Sequence, residues 1–230
     1  MQSIEQALKG TSYPGRGLLV GLTDKGEPAA TYFIMGRSEN SRNRIFIETS
    51  DGIRTQAHDP SKMTDPSLII YTPVRLCGDD MVVSNGDQTD TIVAAISQGN
   101  DMRTALRDRR YEPDEPNFTP RISAVFHIAR PYGYELSILK KSEAGCARYS
   151  FSYDDPQVGT GHLLHTYRCD GKPLPSYEGE PKPVKICGDL TAWSLRVWDA
   201  LDKSNRVALY SVVFRADGTR QSYIINRNAE

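Results

Sequence analysis

Apolar positions along this chain fall into short runs at two periodicities. The runs at 18–22 and 29–35 are separated by Thr23-Asp24-Lys25-Gly26-Glu27, a spacing that predicts a hairpin. Further β patterns cover 44–49 and 68–76, and 76–83 reads as a second hairpin turning at Gly78-Asp79-Asp80. After Pro120 the β pattern resumes at 121–128, 134–139, 147–153 and 162–167. A terminal hairpin, 207–215 and 220–225, turns at Asp217-Gly218.

Helical spacing is confined to four places. Ser3 and Gln6 have capping-box spacing for a short helix that Gly10 ends. Ile92, Val93, Ala95 and Ile96 predict a helix over 89–98 that Gly99 stops, and Asp101 is a candidate N-cap for another over 102–110. Trp193, Val197, Ala200 and Leu201 recur at i, i+4, i+7 and i+8, which predicts a late helix over 190–201 packed through its tryptophans. Strand groups broken by a few helices, without a repeated βαβ unit, predict an α+β fold with antiparallel sheets. No repeat or disordered segment interrupts it, so 1–230 is expected to form one domain.

Composition narrows the class. With 38% hydrophobic residues in 230, the chain can bury a sizeable core. Its 28 basic and 29 acidic side chains give a net charge of -1, so no global field draws it to nucleic acid or an anionic membrane. The N-terminus lacks a signal-peptide pattern and no apolar stretch approaches the ~20 residues that span a bilayer, so a soluble, cytoplasmic protein is expected. Cys77, Cys146, Cys169 and Cys187 lack metal or disulfide-scaffold spacing and are expected as buried reduced thiols. The Pro-rich stretch 171–181 can be a linker, a polyproline ligand or a rigid loop, and with about fifty residues left after it the rigid loop is favoured.

Three segments carry candidate chemistry. Ser84-Asn85-Gly86-Asp87-Gln88-Thr89-Asp90 lies between a strand and a helix, where unpaired N–H groups and a close glycine backbone can cradle an anion. The bland alternative is a capped turn. The segment 36–44 places Arg37, Arg42 and Arg44 with Ser38, Ser41 and two asparagines at a strand edge, a composition suited to phosphate oxygens or simply to a solvated basic loop. It lacks the aromatic residues of a nucleic-acid patch. Tyr111-Glu112-Pro113-Asp114-Glu115-Pro116 sets carboxylates on a proline-stiffened loop, which is either an exposed connection or a rigid acid/base.

Together these segments resemble the archaeal-type inosine monophosphate (IMP) cyclohydrolase family and its bacterial relatives. The resemblance is carried by Gly15-Arg16-Gly17-Leu18, Arg37-Ser38 with Asn43-Arg44, Tyr71 with Arg75, the run from Val82 to Asp90, Tyr111-Glu112 with Asp114, and Thr119-Pro120-Arg121-Ile122. It covers about 13–125; beyond Pro131 little matches the archaeal pattern, and the Gly-Thr-Gly-His block at 159–162 and the Pro-rich block match the bacterial relatives.

The resemblance implies a four-layer αββα sandwich of two mostly antiparallel sheets, like that of N-terminal nucleophile hydrolases. It implies ring closure of 5-formamidoimidazole-4-carboxamide ribonucleotide with loss of water, needing no cofactor or metal. On it, Arg37, Ser38, Arg42 and Arg44 are assigned to the 5′-phosphate, with Arg37 and Arg42 interchangeable, and Asn85, Gly86 and Asp87 to the ribonucleotide pocket. Glu112 is the first acid/base candidate and Asp114 the second. Tyr71 is assigned to an oxyanion or to stacking on the imidazole, and Arg121 to orienting a carboxylate or contacting the base. A purine-pathway ribonucleotide is the expected partner and a symmetric homo-oligomer is open to such an enzyme. Two alternatives stand beside this: a purine-nucleotide-binding protein without turnover, and an amide hydrolase on the same scaffold.

His162 and His165, three apart on a strand, face opposite ways and do not suit a shared metal; His162 is a candidate ligand contact, and His58 and His127 are expected to be structural or at the surface. Residues 173–181 are a candidate lid.

Overall fold

In the computed structural model, which describes residues 1–229, the elements run α1 (Ile4–Leu8), β1 (Arg16–Leu22), β2 (Pro28–Met35), α2 (Glu39–Arg42), β3 (Arg44–Thr49), β4 (Gly52–Ala57), β5 (Val74–Cys77) and β6 (Asp80–Ser84). They continue through α3 (Gln88–Ile96), α4 (Met102–Ala105), β7 (Arg121–His127), β8 (Gly133–Ser142), β9 (Gly145–Tyr153) and β10 (Thr160–His165). β11 (Lys182–Lys185), α5 (Leu190–Ala200), β12 (Arg206–Phe214) and β13 (Arg220–Asn226) complete the set. Six strands in the order β11-β10-β1-β2-β12-β13 form one sheet and seven in the order β3-β4-β5-β6-β7-β8-β9 form the other. Every pairing between neighbouring strands is antiparallel, as the hairpin spacing predicts.

The run Pro28–Met35 is apolar without alternation because both faces of β2 are buried. Ala30, Tyr32 and Ile34 join Phe46, Met81, Val83, Ile122 and Leu136 of the seven-stranded sheet in a shared core. Phe33 and Met35, one position out of phase, pack with Ile4, Trp193, Val197 and Trp198 of α1 and α5. On the seven-stranded sheet Val82 and Leu139 meet Ile92 and Val93 of α3 and Met102 of α4. Thus the two sheets share one core, and two further clusters join strands to helices.

Local signals explain the helix ends. Ser3 and Gln6 form the expected capping box of α1, and Asp101 accepts from Thr104 N at 2.7 Å to start α4. The helix expected over 102–110 ends early, at Ala105. Arg148, reaching across from β9, donates to the Leu106 and Arg109 carbonyls at 2.7 and 2.6 Å, so those acceptors are satisfied outside a helix.

Other expectations need correction. The strand expected over 68–76 begins only at Val74, because Pro73 has no N–H to place in a ladder. Thr55 Oγ1 instead accepts from Tyr71 N at 2.8 Å. β4 and β11 were not anticipated: β4 mixes polar residues into six positions, and β11 is a four-residue edge strand that tolerates Pro183. The four cysteines are free and half-buried rather than buried. Among the described residues, no helix is long and apolar enough to cross a membrane.

Candidate active site

A cleft of about 370 Å³ opens where β1 and β7 begin and where β2, β6 and β10 end. The 36–44 segment forms one side and the 112–119 loop the other, while Tyr13, Tyr167 and Leu174 supply apolar wall. Strand ends fix the backbone while the loops deliver side chains, so functional groups distant in sequence converge on rigid supports.

Arginines dominate one end. Arg44 is 3% exposed; its Nε donates to Ser41 O at 2.8 Å and one terminal nitrogen donates to Met35 O at 3.2 Å. No carboxylate among the described residues pairs with it. Burial, reinforced by repulsion from Arg16, lowers its pKa, with Tyr71 opposing. A buried guanidinium without a counterion beside an open cleft suits an anion, which would supply the missing charge. Arg37 lies over the Tyr13 ring at 4.9 Å and pairs with Asp170 at 2.5 Å. Ser38 and Ser41 line the same end, each capping the other's backbone across the one-turn helix α2.

Carboxylates occupy the other end. Arg16 donates to Glu112 Oε2 at 2.7 Å and to Asn85 O at 3.2 Å. Glu112 is 2% exposed, and burial raises its pKa even though Arg16 pulls the other way. Burial opposes the charge on Arg16, but Glu112 and nearby tyrosines outweigh it and hold the guanidinium protonated. Asp114 Oδ1 accepts from Thr119 N at 2.6 Å and Oδ2 accepts from the Thr119 hydroxyl, whose oxygen also meets the Tyr167 hydroxyl.

The Ser84 to Asp90 loop is built differently from an open cradle. Ser84 and Thr89 bond each other at 2.6 Å, and both meet Gly86 O. Asn85 is fully buried and spends its amide on Pro120 O and its carbonyl oxygen on Ile122 N and Gln88. Asp87 turns to Arg109 and Arg121, at 2.5 and 2.7 Å, and makes no capping bond to α3. The negative charge near this helix N-terminus is therefore the protein's own. Arg121 also donates to Gln88 Oε1 at 2.6 Å, and a Cβ added to Gly86 would lie 2.6 Å from Arg121 and 3.6 Å from Glu112. The loop braces the cleft floor from beneath.

Of the residues singled out in the sequence, Arg37, Ser38, Arg44, Glu112 and Asp114 line the cleft together. Asn85, Gly86, Asp87 and Arg121 form the bracket behind it. Tyr71 is buried beside Arg16 with its hydroxyl 2.7 Å from that of Tyr32. Arg42 points elsewhere: it donates to Gly36 O and Asn205 and lines a separate depression with His58 and Lys62. Its interchange with Arg37 is thereby corrected: Arg37 precedes the Ser38 N-cap of the one-turn helix and lines the cleft, whereas Arg42 ends that helix and lines the other depression.

His162 stacks on Tyr153 at 3.8 Å and bonds Tyr134, outside the cleft lining. His127 pairs with Asp80 and His58 is exposed. Cleft-lining residues without a role in the sequence reading include Arg16, Tyr13, Thr119, Asp65, Tyr167 and Leu174. Arg16 had a signal, a lone cation between Gly15 and Gly17 at the start of an apolar run; Tyr167, just past a strand, had none.

Two antiparallel sheets carrying a cleft with a counterion-free arginine at one end and the carboxylates of buried Glu112 and half-buried Asp114 at the other define an α+β protein suited to a small anionic substrate. Residues 13–218 match the family model described as IMP cyclohydrolase-like protein. An IMP cyclohydrolase of Methanopyrus kandleri is 37% identical over 213 residues, spanning 80% of this chain and 98% of that one. One from Methanococcus aeolicus is 30% identical over 160 residues, 65% of this chain and 78% of that one. The chain belongs to the IMP cyclohydrolase-like family. The match runs well beyond 125, so the connection after β10 that carries Tyr167 and Leu174 is part of the family's extent.

Proposed function

We propose that this chain is an IMP cyclohydrolase, closing the purine ring of 5-formamidoimidazole-4-carboxamide ribonucleotide with loss of water. The observation that carries the assignment to this cleft is its polarity: Arg44 without a counterion at one end, Glu112 and Asp114 at the other. In this assignment the 5′-phosphate neutralises Arg44 and displaces Asp170 from Arg37, with Ser38 completing the shell. The imidazole and its two substituents then lie toward Glu112.

The carboxamide nitrogen attacks the formyl carbon of the same molecule, so holding both groups in contact supplies much of the acceleration. Charge collects on the formyl oxygen, where Arg16 provides a fixed positive group. Glu112, with its pKa raised by burial, can keep a proton closer to neutrality than an ordinary carboxyl and serve as acid/base toward that oxygen. Tyr71 supports Arg16 from behind, and Asn85, Gly86, Asp87 and Arg121 hold the floor in register.

The order of the apolar clusters, helices on each outer face and a shared core between sheets, supports a four-layer αββα sandwich of the N-terminal nucleophile hydrolase type within one domain. The test is incubation of the purified protein with the formylated ribonucleotide and, separately, its unformylated precursor, with chromatographic identification of IMP. IMP from the formylated compound alone is expected. Tight binding without IMP would favour a binding protein, and release of ammonia or formate would favour an amide hydrolase.

A further inference from the structure

We propose that Tyr167 is a catalytic residue of this cleft, taking the proton from the attacking carboxamide nitrogen while passing its own through Thr119 to Asp114. This rests on the cyclohydrolase reading above. The three side chains all line the cleft and touch one another in sequence. Their polarity follows from chemistry: Asp114 accepts the Thr119 hydroxyl proton, so the Thr119 oxygen is left to accept and Tyr167 must donate to it. With its single proton aimed inward, the phenol oxygen can offer only lone pairs to the cleft. That is what an N–H of a substrate requires.

The phenol is held for this purpose on several sides. Tyr167 N donates to Pro14 O at 3.2 Å, its carbonyl accepts from His165 Nδ1 at 2.8 Å, and its ring stacks on Tyr13 with centroids 6.0 Å apart. A Cβ on Gly15 would lie 2.5 Å from that ring, so glycine leaves the space the phenol fills. Burial pushes the Tyr167 ionisation up, which keeps the phenol neutral and favours passing a proton over storing charge.

In the step, the N–C bond forms as the carbonyl π pair moves to the formyl oxygen. The nitrogen's proton goes to Tyr167, Tyr167's to Thr119 and Thr119's to Asp114. Running backward, the relay returns that proton to the oxygen. The C–O bond then breaks as Glu112 gives its proton to the departing oxygen, which leaves as water, and Glu112 recovers a proton from the formamido nitrogen as the C=N bond forms. The enzyme ends in its starting protonation state.

Steady-state kinetics of IMP formation by wild type, Tyr167→Phe, Thr119→Val and Thr119→Ser test this. Tyr167→Phe and Thr119→Val are expected to lower kcat by about 10²–10⁴ with KM within a few-fold, as loss of a proton-transfer group does. Thr119→Ser should restore most of kcat, and the Tyr167→Phe/Thr119→Val double variant should be no slower than the worse single variant. Wild-type turnover with Tyr167→Phe unchanged, or with Thr119→Ser as slow as Thr119→Val, overturns the relay alone. A wild type that binds the substrate without turnover overturns the cyclohydrolase reading and the relay with it.

Discussion

Arg16 and Glu112, 96 positions apart, form a buried ion pair at 2.7 Å that ties the start of β1 to the acidic loop and sets the charge of the cleft floor. Removing one partner leaves the other buried and uncompensated.

Arg16→Met is predicted to cost about 3–5 kcal/mol of folding stability by urea denaturation at neutral pH. Part of that loss should return on acidification. The Glu112 pKa is already raised in the folded protein and rises further without Arg16, so the folded state holds that proton more tightly and stability falls as pH rises.

Arg42 and Arg44 read alike in the sequence but face different surroundings. Calorimetric titration with IMP is predicted to weaken by about tenfold or more for Arg44→Met, the loss of one charge-assisted contact, while Arg42→Ala leaves affinity within about twofold because its partners are Gly36 and Asn205. Equal losses would remove the distinction.

Gly15→Ala should destabilise more than Gly10→Ala. Both glycines have positive φ, 78° and 80°, but an added Cβ at Gly15 would lie 2.3 Å from Thr166 Oγ1 and one at Gly10 meets nothing within 4 Å. Overpacking predicts an extra loss of about 1–3 kcal/mol at Gly15, read as the difference in urea midpoints.

Acid should weaken the fold through His165. Burial first, and Lys182 second, lower its pKa from 6.5 to about 3. The unfolded chain therefore takes up this proton before the folded protein does, so the stabilisation is complete above pH 6.5 and is lost as pH falls toward 3. Unfolding free energies measured from pH 6.5 to 5 should fall with acid, and His165→Asn should make that slope shallower by about 1 kcal/mol per pH unit.

Most of the fold was legible because its signals are local. Gly26 and Gly218 mark their turns, Ser3 and Asp101 cap their helices, and the unbroken apolar run of β2 reports burial on both faces. What escaped depended on partners far along the chain. α4 stops where Arg148 takes over its carbonyls, and β5 starts late because Pro73 breaks the ladder. The site divided the same way: Arg44, Glu112 and Asp114 stand in segments whose composition is unusual by itself, whereas Tyr167 reaches the cleft only through the pairing of β10 with β1. The Ser84 to Asp90 run looked like an anion cradle, but Arg109 and Arg121, remote in sequence, already hold its acidic group.

The division of the cleft into an anion end and a reacting end is tested most directly by kcat and KM for IMP formation by Arg44→Met and Glu112→Gln. Arg44→Met is predicted to raise KM about tenfold or more with kcat within a few-fold. Glu112→Gln is predicted to lower kcat by about 10²–10⁴ with KM little changed. Near-normal kcat in Glu112→Gln, or unchanged KM in Arg44→Met, would contradict it.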